Sequence, residues 1–163
     1  MMRSPFWITL AGLAVCAGTV TDSTLPARDE RVLKLETFFS SYGCPKPDHA
    51  AEYVRAADAF QIDYRLLPAI SLLESTCGAY GRMNNNWGWN SPHSAFESVP
   101  AGIAFVTSRL AVGGPYRDKA LDQKLLAYNP SAPYGRKVRW LMRVIESEDL
   151  IPDPSGPSND DEK

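Results

Sequence analysis

A chain of 163 residues with 44% hydrophobic and 22% charged side chains has the composition of one globular domain with short extensions, which excludes bulk disorder. Its 17 basic and 19 acidic residues give a formal net charge of −2. No basic stripe is visible, so a nucleic-acid partner has little support and electrostatic steering towards a charged polymer is weak.

Residues 1–17 read as an export signal. Arg3 supplies the positive start, 6–17 is an almost uninterrupted apolar run, and Val15-Cys16-Ala17 offers small residues for cleavage. The run is too short to span a bilayer comfortably. Leu13-Ala14-Val15-Cys16 also resembles a lipoprotein box with Cys16 as the lipidated residue, although Val15 is bulkier than the usual Gly, Ala or Ser there. We read plain secretion, into the medium or the periplasm, with the mature chain beginning near Gly18 and the lipoprotein as the alternative. If Cys16 leaves with the signal, Cys44 and Cys77 remain as a pair for an oxidising compartment. A bridge between them would pin the end of the helix that holds Glu74 to the first helix, and closing such a loop is worth about 4 kcal/mol in the chain-entropy model.

Residues 18–28 are a polar leader containing Pro26, and 29–151 form the domain. A helix is expected over 29–42, with Val32, Leu35, Phe38 or Phe39, and Tyr42 at helical spacing and Gly43 as its stop. Asp48 is the expected N-cap of a second helix through Phe60, with Tyr53, Ala57 and Phe60 inward, and Asp63 that of a third. Pro68 falls just past the first turn of the third helix and predicts a slight kink. Residues 78–93 lack any period and read as a loop. Ser98 caps a fourth helix with Val99, Ile103, Val106 and Leu110 on one face; a short helix over 118–128 and a last one from about Pro133 follow. Residues 152–163, rich in Pro, Ser, Gly and acids, read as a disordered tail. The fold class is therefore all-α, or α with a minor β-hairpin.

The third helix carries the chemistry. Leu66, Ile70 and Leu73 recur at i, i+4 and i+7, and Leu67, Ser71 and Glu74 do so on the neighbouring face. Glu74 is thus a carboxylate in the last turn of an otherwise apolar helix, before Gly78 ends it. Desolvation in such a place favours the protonated carboxyl that a general acid needs. Asn84-Asn85-Asn86-Trp87-Gly88-Trp89-Asn90 then sets four amides beside two indoles, a plausible wall for a sugar, with one of the indoles expected in the core.

These motifs resemble the lysozyme superfamily, in particular lytic transglycosylases and bacterial β-N-acetylglucosaminidases. Glu74-Ser75 closing an apolar helix is similar to the family's Glu-Ser pair. Gly78 and Asn85-Asn86-Trp87-Gly88 are similar to the glucosaminidase turn, Phe96-Glu97-Ser98 also fits, and Ala127-Tyr128-Asn129 resembles the Ala-Tyr-Asn motif of the transglycosylases. The likeness covers about 50–145, and the Gly-Leu-Met-Gln segment common in transglycosylases is replaced by the Asn/Trp turn. The resemblance implies a lysozyme-like helical domain that cleaves β-1,4 bonds between N-acetylated sugars of peptidoglycan.

In that reading Glu74 is the acid/base, Ser75 orients it or meets the N-acetyl group, and Asn86, Trp87, Trp89, Tyr128 and Asn129 contact substrate, with Tyr134 a weaker candidate. N-acetyl sugars can dispense with a second carboxylate through substrate assistance; Glu97 is the one alternative acid. His49 and His93 are 44 residues apart and no Cys/His/Asp cluster has ligand spacing, so neither metal nor cofactor is expected. The expected partner is peptidoglycan glycan, met by a monomer without a stable membrane span. A non-catalytic wall-binding protein on the same fold is the rival reading.

Overall fold

The computed structural model describes residues 28–91 and 93–147. The export signal expected at 1–17, the leader up to 27 and the tail expected from 152 lie outside the described residues. Six helices follow in order: α1 Glu30–Ser41, α2 Ala50–Phe60, α3 Leu66–Ser75, α4 Val99–Val112, α5 Leu121–Tyr128 and α6 Ala132–Glu146. No strand forms among the described residues, and an isolated bridge from Arg82 to Asn85 stands where a hairpin was the alternative. The fold is all-α.

Local chemistry sets most of the boundaries. The Asp29 carboxylate accepts from Arg31 N at 2.9 Å and opens α1, and Ser98 Oγ accepts from Ala101 N at 3.2 Å and opens α4. Two expected caps shift. Asp48 binds Ala50 N at 3.2 Å and Asp63 binds Arg65 N at 2.9 Å, so each aspartate folds a turn of its own before the helix. His49, left-handed at φ 59°, and Arg65 then stand at the cap positions. Pro68 is the third residue of α3, where its missing N–H costs no helical bond, which removes the reason for a kink. α5 starts at Leu121 rather than Asp118, because Asp118 is left-handed at φ 58° and Ala120 is extended.

α3 is the central element. It packs on α6 and α4, while α2 joins α4 to α1 and α1 and α5 lean on α6. Leu35, Phe38, Leu66, Ile70, Ile103, Val106, Val138 and Ile145 form the buried centre, so the inward faces expected of α1, α3, α4 and α6 are the observed ones. Only the last turn of α3 emerges, with Leu73 37% exposed and Glu74 exposed beside it. Cys44, after α1, and Cys77, after α3, lie at disulfide distance, with Sγ atoms 2.08 Å and Cα atoms 5.4 Å apart. Among the described residues no helix is long and apolar enough to cross a membrane.

Candidate functional site

The turn that ends α3 comes earlier than glycine alone would place it. Thr76 and Cys77 are left-handed (φ 51° and 56°), and their N–H groups return to Leu72 O and Ser71 O, both at 3.0 Å, before Gly78 is reached. Ser75 is buried at this point. Its Oγ donates to the Asn86 carbonyl at 2.6 Å and accepts from Gly78 N at 2.8 Å. The hydroxyl expected to meet Glu74 or substrate thus fastens the following loop to the helix end.

The loop over 76–98 is held by its amides. Asn84 Nδ2 donates to Phe96 O at 2.9 Å. Asn85 is buried, donates to Trp89 O at 2.8 Å and Ser94 O at 3.2 Å, and accepts from Trp89 N at 3.0 Å. Asn86, also buried, donates to Cys77 O at 3.3 Å. Its amide lies so close to Gly78 (φ +99°) that a Cβ there would stand 2.6 Å from Nδ2. These side chains do the work of a strand ladder for a loop without regular pairing, although the buried Trp87 indole N–H has no partner among the described residues.

Trp87 corrects the expected sugar wall. It is 0% exposed, edge-on to Tyr53 and Phe96, and it packs on Gly102 of α4 so closely that a Cβ there would come within 2.5 Å of Cζ3. No ring face is left for a ligand; Trp87 is the indole of the core. The signal in the sequence was Gly102, a helix-interior glycine whose absent side chain makes the space. Trp89 is the indole at the surface, half-buried against Phe105, Tyr116 and Tyr128.

Around Glu74 the structure brings together α3, the loop, α5 and α6. Gly88 is left-handed (φ +60°), and a Cβ on it would lie 2.9 Å from Glu74 Oε2, so the carboxylate rests against bare backbone. Tyr128 donates its hydroxyl to the carbonyl of Trp87, the neighbour of that glycine. Tyr134 stacks on Tyr128 with ring centres 6.0 Å apart and planes 11° apart. The Tyr134 hydroxyl is enclosed and has no hydrogen bond of good geometry among the described residues. Burial first, and then the negative charge of Glu74, hold both phenols far above their usual range, so each stays a neutral donor.

The expected desolvation of Glu74 is corrected by its exposure: the last turn of α3 leaves the core, although the loop at Gly88 and the tyrosines of α5 and α6 stand beside it. Asn129 is the C-cap of α5, and its Oδ1 accepts from Ser131 N at 3.0 Å, shaping the link to α6. Glu97 is exposed ahead of α4 and bonds Asn84 through its backbone carbonyl, and its carboxylate makes no hydrogen bond or ion pair among the described residues. Phe105, which the sequence reading missed, joins Trp89 and Phe96 from the outward side of α4. A separate pocket of about 210 Å³ lies between the Pro45–His49 turn and Asn84 and Asn86, and Glu74 does not line it. Among the described residues no three of His, Cys, Asp and Glu converge in a way that could hold a metal ion. Compared with protein families, with characterised proteins and with solved structures, the chain matches none.

Proposed function

We propose that this chain is an exported, peptidoglycan-cleaving glycosidase of lysozyme-like architecture, with Glu74 as its single acid/base. The observation that carries the reading is the placement of the Glu74 carboxylate against Gly88, within the field of two neutral tyrosine hydroxyls, of which that of Tyr134 is enclosed and has no hydrogen bond of good geometry among the described residues. Protonated Glu74 donates to the bridging oxygen as the glycosidic C–O bond breaks and positive charge grows at the anomeric carbon. The substrate's own N-acetyl group stabilises that charge. Glu74, now a carboxylate, takes the proton from the incoming hydroxyl, which belongs to water in a hydrolase or to the sugar's 6-position in a lytic transglycosylase. Tyr134 supplies a hydrogen bond to the carboxylate or the N-acetyl group, while Tyr128 and Ser75 are positioning residues that act through the loop backbone. Export is supported by the apolar run after Arg3 and by the two cysteines at disulfide distance.

The exposure of Glu74 favours a second reading, a wall-glycan-binding protein that retains the fold without the chemistry. Mass spectrometry of a digest of purified peptidoglycan separates the possibilities. Anhydro ends indicate a transglycosylase and reducing ends a hydrolase. Intact glycan at long incubation leaves the binding protein.

A further inference from the structure

The aromatic contacts continue away from Glu74. Tyr128, against Tyr134, meets Trp89 at 6.1 Å between ring centres, and Trp89 meets Phe105 edge-on at 6.2 Å. Arg109 lies over the Phe105 ring, its guanidinium carbon 5.5 Å from the centre. Four rings thus run from the buried Tyr134, through the half-buried Tyr128 and Trp89, to the outward side of α4. There Phe105 is 42% exposed, although Ile103, Val106 and Leu110 of the same helix carry its packing. The row ends in an exposed cation. Arg109 shares with Arg82, Arg117, Arg136 and Arg143 the lack of a carboxylate partner among the described residues, and of these five it is the one stacked on an aromatic ring.

We propose that the surface end of this row, Trp89 and Phe105, is the track along which a glycan strand leaves Glu74, and that Arg109 at its far end recognises the carboxylates carried by a muramoyl residue and its stem peptide. The inference rests on the peptidoglycan reading given above. A pyranose has apolar faces and a hydroxylated rim, so it packs on aromatic rings while its edges stay in water. A guanidinium stacked on a phenyl ring keeps its edge N–H groups free, and their planar fork matches a carboxylate. A homopolymer of N-acetylglucosamine offers the same sugar faces and no carboxylate. The track therefore binds both polymers, and Arg109 makes the difference between them. Its place in the last turn of α4 would suit a purely structural role against the helix dipole, but that role is blind to the glycan's charge.

The test is calorimetric titration of the full mature chain carrying Glu74→Gln with two glycans of equal length. One is N-acetylglucosamine alone; the other alternates it with peptide-bearing muramic acid. Phe105→Ala in this background should weaken both by roughly tenfold. Arg109→Gln should weaken only the acidic glycan, by about two- to fivefold, with the difference vanishing in high salt. Equal affinities with and without the Arg109 side chain overturn the inference. So does an equal loss on both glycans, which an unchanged melting temperature would separate from misfolding, and so does failure of either glycan to bind. Mass spectrometry of the same samples reads the Glu74 assignment separately: cleavage by the Glu74→Gln chain removes that assignment and leaves the comparison of initial binding intact.

Discussion

Ser75 Oγ donates to the carbonyl of Asn86 at 2.6 Å, and this bond ties the end of the helix bearing Glu74 to the loop that turns back over it. The two residues are 11 apart in sequence, and both are buried. Ser75→Ala leaves the Asn86 carbonyl and the Gly78 N–H without this partner in a dry environment. The expected cost is about 1–3 kcal/mol. A denaturant titration measures it, and a loss of only a few tenths would mean that the hydroxyl is dispensable.

Glu74→Gln should remove glycan cleavage, by at least about 10²–10⁴-fold, because the amide cannot supply the proton. Since Glu74 is exposed, stability should change by no more than about 0.5 kcal/mol. Glu97→Gln is the control and should retain turnover. Full activity of the Glu74 variant on purified peptidoglycan would sink the assignment, and a large loss in the Glu97 variant would indicate a two-carboxylate hydrolase.

Gly88→Ala tests the seat of the carboxylate. A left-handed alanine costs about 1–2 kcal/mol, and the added methyl would meet Glu74 Oε2 at 2.9 Å. Turnover should fall about tenfold or more through displacement of the carboxylate. Gly43→Ala, at φ +62° with nothing near its absent side chain, carries the same backbone strain without touching the site. Equal kinetics in the two variants would show that the contact at Gly88 is unimportant.

Non-reducing peptide mapping of the exported protein should join the Cys44 and Cys77 peptides. Reduction should lower stability by up to about 4 kcal/mol, the chain-entropy value for a loop spanning 33 residues. Free thiols in protein taken from an oxidising compartment would remove the prediction.

Alkaline pH should destabilise the fold. Tyr128 and Tyr134 have an ordinary value of 10.0 and lie far above it when folded, mainly through burial. Above about pH 10 the unfolded chain loses these protons while the folded chain keeps them, so unfolding becomes easier as pH rises. The slope is about 1.4 kcal/mol per pH unit for each such tyrosine. Tyr134→Phe should flatten that limb, and a melting curve that stays level from pH 9 to 11 in the parent protein would contradict the assignment.

Periodicity made the helices legible. Leu35 and Phe38, or Val138, Leu141 and Ile145, recur at helical spacing and are buried as that spacing requires. Aspartates were harder to read, because a side chain that accepts from the backbone two residues on can open a turn as readily as a helix; Asp48 and Asp63 do the former. Glu74, Tyr128 and Tyr134 were visible as candidates and lie together, but Trp87 was divided from Trp89 only by contacts distant in sequence. An indole is assigned to the core by the space at Gly102, and no local pattern carries that information. Phe105 was missed for the opposite reason: an apolar residue on the outward side of a helix has no partner in the period.

The amide-braced loop also sets a chemical lifetime. Asn84, Asn85 and Asn86 all point their Nδ2 donors at backbone carbonyl oxygens. Spontaneous deamidation, which turns the donor into a carboxylate oxygen, would set negative charge against a carbonyl dipole, and at Asn85 and Asn86 it would do so in a buried place. The backbone could then close only by excluding the damaged side chain, carrying Trp89 and the ground beneath Glu74 with it. A molecule that remains folded and uncleaved would be damaged by ageing at these two buried positions, and a gain of about one mass unit on this segment would mark each copy that has worn out.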